Sequence, residues 1–359
     1  MAEQLRFGVV GAGMMGREHI RNLKLFDDAR VVALADPDRG SLDESLKTLG
    51  STVPTFATAA DMLAGAACDA VIVASPNFTH RAVLEPLFAS DVAILCEKPL
   101  CTTVEDARWA AECAAERKAV FWTGMEYRFM PPATRFVERI HAGEVGRTVM
   151  LTIREHRFPF LVKVADWNRF SRNTGGTMVE KCCHFFDLMR HILQAEPISV
   201  VCSGAMDVNH LDERYGGEQP DILDNSFTVV DFEGGARAML DLCMFADGEE
   251  QQEGIAAMGD KAKLEVTIPA GDIVLSPRVG FRQPKRPVRE HVAVDAAALD
   301  AGSHHGATYY QLAAFLDAAR GRAPVQVTAD DGLRAVAMGV AAEISAREKR
   351  VVRMDEVMS

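Results

Sequence analysis

The first third of the chain alternates short apolar runs with longer amphipathic stretches. "LRFGVV" (5–10), "RVVALAD" (30–36), "DAVIVAS" (69–75), "VAILCEKP" (92–99) and "AVFWTG" (119–124) read as buried strands. Helical patterns fill the gaps, to about Phe26, then over 78–89 and 104–117. Strand and helix in alternation predict a doubly wound parallel sheet, whose ligands gather at the carboxyl ends of the strands. "GAGMMG", "SPNFTH" and "CEKPL" lie at those ends. From Pro131 the rhythm changes. A helix over 132–142 leads into "RTVMLTIREHRF", and strand-like runs follow in "ISVVCSGAM", "NSFTVVDFEGG", "ARAMLDLCMF", "KAKLEVTIP" and "DIVLS". Their adjacency in sequence predicts a large antiparallel or mixed sheet with helices on one face. A last helix over 329–347 precedes the strand-like "KRVVRMDE". The fold class is therefore α/β in two domains, 1–128 for a dinucleotide and 129–359 for substrate and oligomerisation.

Composition narrows the partners. With 39 basic against 51 acidic residues, the net charge is −12, which disfavours nucleic acid and anionic membrane surfaces. No apolar run approaches the roughly 20 residues a bilayer span needs. "MAEQLRFGVV" carries neither a basic leader nor a cleavage signal, so a cytoplasmic location is expected. The eight cysteines form no C-x-x-C pair and no zinc-finger spacing, and are expected as reduced core thiols.

"GAGMMG" places Gly11, Gly13 and Gly16 as G-x-G-x-x-G between a strand and a helix, with Asp36 20 residues beyond Gly16. Gly11 suits the tight turn, Gly13 a close approach of backbone to pyrophosphate, and Gly16 close packing of helix on strand. The helix start at Met14 and Met15 offers N–H groups to phosphate. Asp36 suits the ribose hydroxyls and repels a 2′-phosphate, so NAD is expected ahead of NADP; nearby Arg39 weakens that preference.

The stretch "GGTMVEKCCHFFDLMRH" (175–191) holds two cysteines beside a histidine. At ~100° per residue, a helix over 177–193 puts Met178, Phe185, Phe186, Met189, Ile192 and Leu193 on one stripe. Glu180, His184, Asp187 and His191 fall on the opposite side. Cys182 lies in the apolar stripe and Cys183 at its edge, diverging by ~100°. Unless that helix breaks, the two thiols cannot converge on a metal with His184, and no metal site is expected.

"GAGMMG", "SPNFTH" and "CEKPL", followed by "MEYRFMP", "IHAGEVGRTV", "GGTMVEKCCHFFDL", "AMGDKAKLEV" and "HGATYYQLAAFLDAARG", resemble the glucose–fructose oxidoreductase / inositol dehydrogenase (Gfo/Idh/MocA) family over nearly the whole chain. The resemblance implies a nicotinamide cofactor and redox chemistry at a secondary hydroxyl of a sugar or cyclitol. It implies Lys98 and His184 as the catalytic pair, with Glu97 and Pro99 shaping the loop and the Lys98–Pro99 bond a candidate for the cis isomer. Ser75, Asn77, His80, Glu97 and Lys98 join the cofactor set. The resemblance also makes the other face of the second sheet a candidate oligomer interface, and a homodimer or homotetramer is expected. Three departures stand out. Glu180 replaces the usual Asp, Cys182 a frequent Gly, and "ASDVAIL" the commoner A-G-K turn.

Glu180, one turn before His184, is a third catalytic candidate, able to hold the imidazole tautomer or a substrate hydroxyl. Which of Lys98 and His184 takes the proton stays open. The loop "REHRFPFLVKVADWNRFSRNTGG" (154–176) supplies Lys163, Asp166, Trp167, Asn168 and Asn173 as substrate candidates, beside Lys98, Glu180 and His184. His305 and Tyr309 are weaker ones by family position. The expected function is an NAD-dependent sugar or cyclitol dehydrogenase. The competing readings are redox-assisted glycoside cleavage with internally recycled NAD, and a non-catalytic NAD-binding sensor.

Overall fold

The computed structural model describes residues 4–359. The first part of the chain runs β1 (Leu5–Val10), α1 (Met14–Leu23), β2 (Ala29–Ala35), α2 (Arg39–Leu49), β3 (Thr55–Phe56), α3 (Ala59–Gly65), β4 (Ala70–Val73), α4 (His80–Phe88), β5 (Ala93–Glu97), α5 (Val104–Ala115) and β6 (Phe121–Gly124). All pairings are parallel, in the order β3-β2-β1-β4-β5-β6. Every residue of β4, β5 and β6 is buried, as strands covered on both faces must be. The strand order reverses between β1 and β4, the point at which such sheets bind ligands. Side chains cap three of the helices: Asp38 accepts from Ser41 N–H, Thr58 from Asp61 N–H and Thr103 from Asp106 N–H. Helix α1 starts after Gly13 without such a cap. The helical pattern from Phe78 resolves into a 3₁₀ turn, Asn77–Thr79, followed by α4.

The middle of the chain runs α6 (Pro131–His141), β7 (Thr148–His156), α7 (Ser171–Thr174), α8 (Thr177–Glu180), α9 (Cys183–Leu193), β8 (Pro197–Ala205), β9 (Asn225–Phe232), β10 (Arg237–Cys243), β11 (Glu253–Gly259), β12 (Ala262–Ile268), β13 (Asp272–Pro277) and β14 (Val288–His291). It ends with α10 (Ala296–Ala301), α11 (Ala307–Ala319), α12 (Ala329–Glu348), β15 (Val352–Arg353) and α13 (Met354–Met358). "KRVVRMDE" is thus a two-residue strand turning into a helix, because the i,i+3 bond from Arg353 N–H to Glu356 closes a helical turn. The nine-stranded sheet has the order β14-β13-β12-β11-β7-β10-β9-β8-β15. Every pair is antiparallel except β10 with β7. Burial alternates along β9, β10 and β12, so one face is packed and the other half open. Phe227, Val229 and Val201 are exposed on it.

Two compact units result: Met1–Glu126 with Asp295–Val336, and Tyr127–Val294 with Ala337–Ser359. The segment 295–336, read from sequence as part of the second domain, folds with the first unit. Phe315 explains why: its ring lies 6.2 Å from Phe7 and 6.2 Å from Trp122, inside that core. No helix among the described residues is long and apolar enough to cross a membrane.

Candidate active site

The glycine loop of the first unit divides its labour by space. Gly11 has φ +92°, and a Cβ there would stand 2.4 Å from the backbone of Ala74 and Ser75. A Cβ on Gly16 would lie 2.0 Å from the Gly11 carbonyl oxygen. At Gly13 an added Cβ meets nothing within 4 Å, leaving room for a ligand against bare backbone. Met14 is exposed and Met15 half-buried where α1 begins. Asp36, at the end of β2, accepts from Ala12 N–H (2.7 Å) and from Asp38 N–H (2.8 Å), tying the loop to the strand. The buried Asn77 amide nitrogen has no partner among the described residues. Ser75 is half-buried beside it, its hydroxyl accepting from Thr79 at 2.8 Å. These residues fit a dinucleotide: an uncapped helix start, an open glycine, a carboxylate at the second strand and an unspent amide.

His80 differs from its expected cofactor-facing place. The ring is 0% exposed, with Nδ1 2.9 Å from the Pro99 carbonyl and Nε2 3.1 Å from that of Ser75. Burial pushes its pKa down, favouring the neutral ring. It braces "SPN" against "KPL" instead of meeting a ligand. The Lys98–Pro99 bond is cis. Lys98 is half-buried, while Cys96, Glu97, Pro99 and Leu100 around it are buried. Glu97 accepts from Lys98 N–H (3.2 Å) and meets His19 Nε2 at 2.7 Å. Burial alone would raise the Glu97 carboxyl; the His19 hydrogen bond and the charges of His19 and Lys98 bring it below its usual range.

In the second unit, the helix expected over 177–193 is broken. Lys181 N–H and Cys182 N–H both reach the Thr177 carbonyl, at 2.9 and 3.2 Å, and a new helix begins from the Cys182 carbonyl. The i→i+5 bond widens the turn and re-aims α9. Cys182 and Cys183 are both 0% exposed, so Cys183 is core and not edge. The opposite side is buried as well: Glu180 is 5%, His184 2% and Asp187 0% exposed. Asp187 is neutralised by Arg128 in a bidentate pair, with Nε donating to Oδ2 at 2.6 Å. His191 is half-buried and ring-to-edge with His141 at 5.7 Å. His184 lies flat on Tyr127, ring centroids 4.0 Å apart and 8° from parallel.

The loop candidates separate by burial. Lys163 Nζ sits 5.4 Å from the Trp167 ring centre, both half-buried, and Asp166 has φ 52° beside Ala165 at 54°. Asn173 donates to the Trp167 carbonyl at 2.9 Å. Asn168 is 0% exposed and its amide donates to the Leu161 carbonyl at 3.0 Å, so it shapes the loop and does not present itself to substrate. His305, in the first unit, is half-buried with φ 52° just ahead of α11. Tyr309 stacks on Phe26 at 4.7 Å.

Two family models cover this architecture. Residues 5–125 match "Oxidoreductase family, NAD-binding Rossmann fold". Residues 137–354 match "Oxidoreductase family, C-terminal alpha/beta domain". The chain belongs to the Gfo/Idh/MocA oxidoreductase family. It is 32% identical to the rhizopine catabolism protein MocA of Rhizobium meliloti over 200 residues, which span 54% of this chain and 59% of that protein. Similarity to the inositol 2-dehydrogenase of Rhizobium meliloti strain 1021 runs at 27% identity across 97% of this chain and 98% of the relative. A solved levoglucosan dehydrogenase, in complex with NADH and levoglucosan, shares the fold with a TM-score of 0.85 at 17% identity, covering 98% of this chain and 100% of that one.

This Gfo/Idh/MocA chain also carries buried chemistry that sequence reasoning passed over. In the first unit Glu18, Glu126 and His304 bring ligand-type atoms within 4.8 Å of one another, a grouping that involves neither Cys182 nor Cys183. Thr308 has one hydroxyl proton but touches both Glu126 Oε2 (2.6 Å) and Glu18 Oε1 (3.0 Å). A proton on Glu126 completes the chain, and burial with the nearby Glu97 and Glu18 charges does raise that carboxyl. Burial works against Glu18 too, but the hydrogen bond and charge of His304 hold it at about 2. The cluster therefore reads as shared protons packed against α1.

Proposed function

We propose that the protein is an NAD-dependent dehydrogenase that oxidises a secondary hydroxyl of a sugar or cyclitol, with Lys98 and His184 as its acid–base pair. One observation carries this reading. The E-K-P loop is clamped by Glu97 to His19, on the same α1 helix whose uncapped start suits the dinucleotide phosphates. Lys98 is thereby fixed to the frame that holds the cofactor. The substrate class follows the full-length inositol 2-dehydrogenase relative.

A carbinol carbon releases hydride only as its hydroxyl loses a proton, and an alcohol is a very weak acid. The site needs a base and a positive charge. An imidazole of reference pKa ~6.5 accepts such a proton near neutrality, and an ammonium steadies the developing alkoxide or relays the proton. Glu180 supports the imidazole or a substrate hydroxyl. The nicotinamide, when bound, supplies the hydride acceptor. Lys163 and Trp167 offer a cation and a ring face to a polyol.

The test is NADH formation across a panel of inositols, hexoses and anhydrosugars. Stoichiometric NADH is expected. Product without NADH would indicate redox-assisted cleavage, and neither would indicate a sensor. Lys98→Ala and His184→Ala should each lower turnover by about 10²–10⁴-fold while calorimetric NAD binding persists. Near-normal turnover in either variant overturns the assignment.

A further inference from the structure

A lysine buried to 4% exposure is costly to maintain, because its ammonium loses its water. Lys181 is such a residue, in the widened turn between α8 and α9, three positions before His184. Its Nζ donates to the Tyr127 hydroxyl at 2.6 Å and pairs with Glu155 Oε1 at 2.8 Å. It also lies 4.7 Å from the Tyr127 ring centre and 5.4 Å from that of Phe185. Tyr127 in turn is the ring on which His184 rests, 4.0 Å away and within 8° of parallel.

Behind the lysine, two carboxyls stand opposite each other on the sheet. Glu155 of β7 and Glu253 of β11 are register partners, and both are buried. Gln252 donates to Glu253 Oε1 at 2.7 Å, and Arg157 Nη1 reaches Glu155 at 3.5 Å. Burial, reinforced by the Glu155 charge, pushes the Glu253 carboxyl up to about 8. Burial also pushes the Lys181 ammonium below its usual range, with the Glu155 charge working against that, and the two groups meet as a buried pair at 2.8 Å. A buried pair of this kind adds little net stability over apolar residues of similar volume. Its retention has to be sought in what it orients.

We propose that Lys181 is a positioning residue: anchored by Glu155, it fixes the Tyr127 hydroxyl and ring, and through that ring holds the His184 imidazole in the orientation proton transfer needs. The proposal rests on His184 being the catalytic imidazole for its consequence in turnover, but the physical coupling stands apart from it. Glu155 is the anchor, Tyr127 the transmitting plate and Phe185, edge-on to Tyr127 at 5.6 Å and 71°, its back wall.

The experiment uses the full chain labelled with ¹³C-histidine, the His184 signals being assigned by their loss in His184→Asn. In the wild type, the stacked Tyr127 ring should displace the His184 ring-proton signals upfield. Lys181→Met/Glu155→Gln removes both charges together and should melt at or above the wild-type temperature. Its His184 signals should nonetheless move downfield, and kcat should fall by about tenfold or more, since small misplacements of a reacting group cost up to ~10², with KM for NAD unchanged. Tyr127→Phe, which keeps the ring and removes the hydroxyl, should move the same signals in the same direction. Combined with Lys181→Met it should add nothing further. A folded double variant with unmoved His184 signals overturns the proposal, and so do additive effects of Tyr127→Phe and Lys181→Met. Should the signals move as expected while His184→Ala retains full turnover, the coupling holds and the proposed function fails.

Discussion

Asp36 has one task in the structure and a second, at the ribose, that belongs to the proposed function. Its oxygens already accept the Ala12 and Asp38 N–H groups, and the lone pairs left over are those a ribose diol needs. Asp36→Ala should therefore weaken both dinucleotides through the loosened glycine loop. The ratio of kcat/KM for NADP to that for NAD should still rise by at least about tenfold, or about 1.4 kcal/mol. Steady-state kinetics with both cofactors checks this, and an unchanged ratio removes Asp36 from the ribose. Asp187 behaves differently. Its arc on the helix matched that of His184, so sequence alone left its role open. The partner that decides its role, Arg128, lies 59 residues away and was invisible to any local pattern. Asp187→Asn should cost about 3–5 kcal/mol by stranding a buried guanidinium, measured by urea unfolding. A loss of activity without a loss of stability would return Asp187 to the chemistry. Short-range spacing thus made the glycine loop, Asp36 and E-K-P legible, while the long-range partners His19, Tyr127 and Arg128 carried no local signal.

At the scale of elements, periodicity saw the faces of 177–193 but missed the interruption. Lys181 and Cys182 keep φ of −97° and −80°, so the chain stays near helical geometry while one extra residue enters the turn. What holds the start of α8 is remote. Gly176 has φ +91°, a Cβ there would stand 2.3 Å from Glu343 Oε1, and that oxygen accepts from Met178 N–H at 2.9 Å. Burial raises the Glu343 carboxyl from 4.5 to about 7. Between those two values the folded chain binds more protons than the unfolded one, so this group's contribution to stability is full below the unfolded value and declines as pH rises toward the folded one. Residual solvent access trims the loss to roughly 1–2 kcal/mol. Glu343→Gln keeps an acceptor for Met178 and cannot ionise. Its melting temperature should match the wild type near pH 4.5 and exceed it at pH 7–8. Parallel pH profiles for the two would contradict the assignment.

At the scale of the molecule, the alternation of strands and helices disclosed the class of both sheets, and even the antiparallel character of the second. It could not disclose that the chain returns. Nothing in the periodicity of residues 307–319 says which core receives Phe315, because an apolar stripe specifies that a face is buried and not against what. A fragment of residues 1–128 should consequently unfold without cooperativity and bind NAD poorly. Joining residues 295–336 to it through a flexible linker should restore both properties. A fragment that melts cooperatively and binds NAD at full strength without that addition would refute this. The buried thiols give such experiments an internal clock. Cys96 and Cys101 lie in the first compact unit, and Cys182, Cys183 and Cys202 in the second, each at most 3% exposed. An alkylating reagent can reach them only when the surrounding structure opens. Mapping which sulfur is modified first, peptide by peptide, makes the doubled cysteine of "EKCCH" a stopwatch for the half of the molecule that carries His184.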